Sequence, residues 1–170
     1  MRPLLLLAGL LAGAAAAAEP GADPGSRPSR EFVQAAAQSD TFEMMEAHSA
    51  LAASRDPQVR AYAQAMLLDH GQTSATLAAA AARAGLKPPP LHLGADQAQM
   101  LNALQSQGPD AFDRTYWKQQ ALSHRAALVV QQRYAQTGDT PALRQAAAAA
   151  VPMIQQHLAT AERMAAMGPG

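Results

Sequence analysis

The sequence predicts an all-α protein, a four-helix bundle of two helical hairpins joined by a long crossover that contains a short helix. Three observations carry this. Four long stretches place apolar residues at alternating steps of four and three, the spacing that puts side chains on one face of a helix. No stretch alternates apolar and polar residues with period two over a useful length, so no strand competes. The links within each pair of helices are short, whereas roughly 25 residues separate the second long helix from the third, as in bundles with one long crossover.

The first long helix is expected from about Pro28 or Glu31 to Ser54, with a seam of Phe32, Ala36, Ser39, Glu43, Glu46 and Ala50. Asp56 then caps the next helix and Pro57 suits its first position. That second helix runs to Ala84 and stops at Gly85, ahead of Pro88, Pro89 and Pro90, along a seam of Val59, Ala63, Met66, His70, Thr73 and Leu77. The crossover carries a short helix from Asp96 to Ser106, then Gly108-Pro109. The third long helix begins after Asp110 and ends near Thr137-Gly138, with Asp113, Trp117, Gln120, His124 and Leu128 along one face. The fourth starts at Thr140-Pro141, and its seam is Leu143, Ala146, Ala150, Met153, His157, Ala161 and Met164. Pro152 lies inside it, where a missing backbone donor favours a local bend.

Ahead of the bundle domain, placed at residues 31–167, stand two other segments. Residues 1–18 have the parts of a secretory signal: Arg2, the apolar run Leu4–Leu11, and small residues ending Ala16-Ala17-Ala18. The apolar run is short for a membrane anchor, and a retained anchor is the alternative to cleavage. Residues 19–30, rich in Pro, Gly and Ser, read as a flexible leader. The expectation is an exported protein, periplasmic if the source has two membranes, with no membrane span after signal cleavage.

Composition narrows the function classes. Basic and acidic residues balance at 13 each and form no basic stripe, so no nucleic-acid partner is expected. There is no cysteine, hence no disulfide and no lipid attachment through one. Aromatic residues make up only 4%, so the core is built from Ala, Leu, Val and Met, and small seam residues let helices approach closely. No nucleophile motif, glycine-rich phosphate loop or cofactor fingerprint is present. Ser123 beside His124 forms no triad, because neighbours on a helix point about 100° apart.

The informative residues are polar ones on apolar seams. His70, His124 and His157 each fall on a different helix, and Glu43 and Glu46 fall on the remaining one. Titratable groups in such places are costly unless paired or liganded. At a rise of 1.5 Å per residue, Glu43 lies roughly 18 Å and His70 roughly 21 Å from the first turn, His124 roughly 21 Å into its helix, and His157 roughly 27 Å past the second turn. All sit near mid-bundle, His157 being the outlier.

Several motifs together resemble a family: Phe32-Val33 followed by Glu43, Asp56-Pro57 leading to Tyr62-Ala63-Gln64-Ala65-Met66 and Asp69-His70, Phe112-Asp113 with Tyr116 and His124, and Pro152 with His157-Leu158. From about Phe32 to Met164 the chain resembles the exported bacterial proteins grouped as domain of unknown function 4142, regarded as ferritin-like. The resemblance implies the bundle fold and export, and implies little about activity.

Di-iron bundles carry a Glu three residues before His on two helices. The matching positions here are Leu67, Ala121 and Ile154, none of which binds metal, so a di-iron oxidase is disfavoured and an enzyme is not the expectation. Three His and a carboxylate suit instead a single zinc, iron, copper or manganese ion, with Glu43, His70, His124 and His157 as ligands. Glu46 is the reserve carboxylate, and Asp69 and Asp113 are candidates for orienting rings from outside. The rival reading is a structural or interaction protein in which the same residues form a hydrogen-bonded cluster that only fixes packing. His48, off the seam, and His92, in the proline-rich link, read as solvated. The methionines, spread over the bundle, read as core fillers rather than a copper run.

Overall fold

In the computed structural model, residues 26–87 and 91–167 are described. The signal and most of the leader, residues 1–25, lie outside them. Five helices follow in order: α1 Arg27–Ala53, α2 Pro57–Arg83, α3 Ala95–Gln105, α4 Pro109–Thr137 and α5 Pro141–Met167. There is no strand among the described residues. None of these helices is long and apolar enough to cross a membrane.

The long helices begin and end where their local chemistry directs. The Ser26 hydroxyl accepts from the Ser29 backbone N–H, and Pro28 sits in the first turn, so α1 starts at Arg27 and takes in four residues read as leader. The Asp56 carboxylate accepts from the Gln58 N–H at 2.7 Å, with Pro57 at the first helical position. α2 ends in a Schellman turn: Gly85 takes φ 73°, and the N–H groups of Leu86 and Gly85 donate to the carbonyls of Ala81 and Ala82. Thr140, expected as a cap, spends its hydroxyl on Ser29 instead, at 2.6 Å.

That contact belongs to a latch joining the start of α1 to the α4–α5 turn. Ser29 and Tyr134 donate to Asp139 Oδ1 at 2.7 and 2.9 Å, and Ser26 donates to Oδ2. Burial pushes the Asp139 carboxyl up, and these hydrogen bonds more than reverse it, leaving its pKa below the ordinary value.

α1 packs along α2 and α4 along α5 far more extensively than α1 on α4 or α2 on α5. The two hairpins therefore meet along two thinner seams, and α3 lies on α1 and α4. The apolar core falls into two main masses. One gathers Ala47, Val59, Tyr62, Met66, Leu104, Tyr116, Trp117 and Ala161, and the other gathers Phe32, Ala36, Leu77, Ala81, Tyr134, Leu143 and Ala147. A smaller group, Ala127, Ala150 and Ile154, lies alongside. On the four long helices, Asp40, Glu43, Glu46, His70, His124 and His157 fall between the positions that feed the two masses.

Leu104, fully buried, is the anchor of the crossover helix in the first mass. Leu104→Ala is expected to cost about 2–4 kcal/mol. Leu91→Ala, at a site 75% exposed, should stay within about 0.5 kcal/mol. Urea unfolding midpoints at constant m check both.

Candidate metal centre

Between the two apolar masses lies a polar layer: Asp40, Glu43 and Glu46 from α1, His70 from α2, Gln120 and His124 from α4, and His157 from α5, all buried. Helical period explains the stacking. Glu43 and Glu46 are three apart on α1, and Tyr116, Gln120 and His124 are four apart on α4, so each set forms a column on one face. His157 stands level with the others rather than deeper. It lies 16 residues beyond Pro141 whereas His124 lies 13 before Thr137, and a stagger of about 4.5 Å between the helix ends absorbs the difference.

The three imidazoles converge. Ring centres are 5.6 Å apart for His70–His124, 6.0 Å for His70–His157 and 5.6 Å for His124–His157. A metal 2.0–2.1 Å from an imidazole nitrogen lies about 3.2 Å from the ring centre, so three rings on one ion stand about 5.2–5.5 Å apart. The observed triangle is only slightly wider.

Each ring is held from outside. His70 Nδ1 meets Asp40 Oδ1 at 2.8 Å, and Thr73 donates to the same oxygen at 2.9 Å. His124 Nδ1 donates to the Gln120 carbonyl at 2.8 Å, one turn back on its own helix. His157 Nε2 meets Asp69 Oδ2 at 2.9 Å, and the Tyr62 ring stands edge-on to His157 at 5.4 Å. With Nδ1 engaged, His70 and His124 leave Nε2 as the remaining nitrogen, and both Nε2 atoms are buried without a hydrogen-bond partner. Metal-binding histidines are held in the same way, one nitrogen tied to a carboxylate or carbonyl and the other presented.

The carboxylates are placed differently from the expectation. Glu43 Oε1 accepts from Ser123 at 2.5 Å and its Oε2 from Gln120 Nε2 at 2.7 Å. Its approach to His124, 3.5 Å, is to Nδ1, not to the presented Nε2. As placed, Glu43 steadies the ring and its helix rather than sharing a coordination point. Gln120 Nε2 also donates to Glu46 Oε2 at 2.8 Å, so one amide bridges the two glutamates. Asp69 does orient a ring. Asp113 does not: it lines a cleft with Pro109, Trp117 and Met164 at the far end of α4, about 16 Å along the helix from His124. His48 is exposed, and His92, also exposed, contacts Gln38 at 3.0 Å. As the side chains stand, no three His, Asp or Glu among the described residues group their donor atoms closely enough to hold an ion. The rings have coordination spacing without the coordination pose, and one nitrogen of His157 is drawn off to Asp69.

Asp40 and Ser123 are the partners that reading the seam missed. The expected seam steps from Ala36 to Ser39, but the four-residue step to Asp40 is the one that points inward, while Ser39 is only partly buried. The signal was present: Phe32, Ala36, Asp40, Glu43, Ala47 and Ala50 form an unbroken three-four stripe.

Burial sets the electrostatics. It lowers the pKa of His124, against the Glu43 charge, and lowers that of His157, helped by His124. For His70, burial acts downward too, but the Asp40 hydrogen bond and the charges of Glu43, Asp40 and Asp69 outweigh it and leave the pKa raised. Burial, then the Glu43 charge, pushes Glu46 up to about 9, with the Gln120 hydrogen bond opposing. Unfolded, Glu46 sheds its proton near 4.5; folded, it keeps it to about 9. The folded state thus binds the extra proton, and stability drains away as pH rises through that window. Glu46→Gln, neutral at every pH, should match the parent near pH 4 and exceed it by several kcal/mol, at most about 6, near pH 9. Urea unfolding at the two pH values checks this, and a gain independent of pH would contradict it.

A model of the family described as Domain of unknown function (DUF4142) matches residues 14–164. The crystal structure of a DUF305 fragment from Deinococcus radiodurans is similar in fold, with a TM-score of 0.72 at 17% identity, over 84% of this chain and 97% of that one. No curated protein matches the chain. The bundle is ferritin-like in architecture, and with most of its length matched the chain belongs to the family of domain of unknown function 4142.

Proposed function

We propose that this chain is an exported, non-enzymatic bundle protein that holds one transition-metal ion among His70, His124 and His157, for storage, buffering or stress protection. One observation carries the reading: two histidine Nε2 atoms are buried without a partner, on rings at the spacing of ligands to a single ion. A buried polar atom left unpaired costs about 1–3 kcal/mol, and an ion on these nitrogens would offset that. Asp40 and the Gln120 carbonyl fix the rings of His70 and His124 so that Nε2 carries the lone pair. His157, tied to Asp69 through Nε2, would contribute Nδ1. Glu43 and Asp40 balance the charge from outside. Imidazole ligands favour zinc, copper or iron, with manganese less suited. The ion supplies positive charge in a layer rich in carboxylates.

A second reading has its own observation. The layer is already knitted by hydrogen bonds among Asp40, His70, Glu43, Gln120 and Ser123, and no group is poised for an ion as it stands. On that reading the cluster fixes the register of four helices in a structural or interaction protein.

Metal analysis separates the two. Protein purified without a His tag and incubated with zinc, copper, iron or manganese should retain about one equivalent of at least one of them. His70→Ala with His157→Ala should abolish retention and leave helix content largely intact. Retention below about a tenth of an equivalent for all four would end the metal reading and leave the packing one.

A further inference from the structure

Resting on the metal reading, we propose that the cleft between α2 and α5 is the route by which a divalent transition-metal cation reaches the three histidines, with Asp69 as its outer capturing carboxylate. The cleft, about 280 Å³, opens along one of the two thin seams between the hairpins. Its α5 wall is Ala146, Ala149 and Ala150 with the larger Met153 one turn before His157, and its floor reaches residues of the opposite helices, Asp40 among them.

Two carboxylates line it at different depths, and each touches a histidine. The Asp69 side chain is 39% exposed and bonds His157, whereas that of Asp40 is 10% exposed and bonds His70. A cation entering there meets first a solvated carboxylate and then a buried one, with no lysine or arginine lining the way. Two negative charges in a confined, partly desolvated channel raise the local cation concentration and the capture rate.

The opposite seam offers a cleft of similar size, about 270 Å³, between α1 and α4. No carboxylate lines it, and α3 contributes Gln97 and Met100 to its wall. Its polar link to the layer is Ser123, which donates to Glu43 and touches no histidine ring nitrogen. The charge pattern therefore favours the α2–α5 side.

Loading of zinc can be followed by stopped flow against a chromophoric chelator at constant pH and salt, in the full chain. Ala149→Phe, and separately Gln72→Trp, place bulk at exposed positions of the α2–α5 cleft. Ala126→Phe does the same at an exposed position of the other cleft. Circular dichroism shows which variants are folded. Either cleft-filling variant is expected to load and release zinc about tenfold more slowly, with Kd within about threefold of the parent, since obstructing a path changes both rates and not their ratio. Ala126→Phe should load at the parental rate, and Asp69→Asn should load more slowly, with a weaker dependence on ionic strength. Folded α2–α5 variants loading at the parental rate, or Ala126→Phe slowing as much as they do, would overturn the route while leaving the metal reading standing. A parent that binds no zinc, copper, iron or manganese would overturn the metal reading itself, and the route with it.

Discussion

A polar layer across the middle of an alanine-rich bundle is the constraint on which the rest of this structure depends. Every long helix contributes at least one titratable side chain to it, and each of those side chains is almost fully withdrawn from water. Burial at that depth is tolerable only if the groups find one another. The layer therefore sets the relative height of four helices. Sliding α5 by one turn would move His157 about 5.4 Å, away from both Asp69 and its ring neighbours.

The layer is asymmetric. On the α2–α5 side, carboxylates pair with imidazoles, Asp40 with His70 and Asp69 with His157. On the α1–α4 side, an amide and a hydroxyl serve two glutamates, Gln120 bridging Glu43 and Glu46 and Ser123 completing Glu43. The second arrangement sets neutral donors against two acids that sit close together, and burial with the Glu43 charge keeps Glu46 protonated against the Gln120 hydrogen bond. The first leaves basic nitrogens presented, because each carboxylate occupies only one of the two on its ring. That division separates a half built on neutral donors, where Glu46 Oε1 and Gln120 Oε1 stay without partners, from a half with spare imidazole nitrogens.

Much of this was legible in the chain. The helices, the two hairpins and the convergence of the three histidines follow from the three-four spacing and from caps such as Asp56-Pro57 and Gly85, which are local and strong. The roles of individual carboxylates were not legible. Glu43 and the histidines share a level, but which nitrogen a carboxylate meets depends on rotamers and on competitors such as Ser123, which spacing does not encode. Asp40 is hard to tell from Ser39 by spacing because the two are adjacent, and a single step of three or four decides which of them turns inward. Asp113 shares the helical face of His124 but stands three turns away, so sharing a face did not mean sharing a site.

The central claim is that His70, His124 and His157 together define one ion site, and anomalous diffraction from a crystal soaked in zinc tests it most directly. The account predicts one dominant peak inside the imidazole triangle, approached by Nε2 of His70 and of His124. A strong peak only at exposed histidines such as His48, or a triangle unchanged and without a peak at saturating zinc, would contradict it.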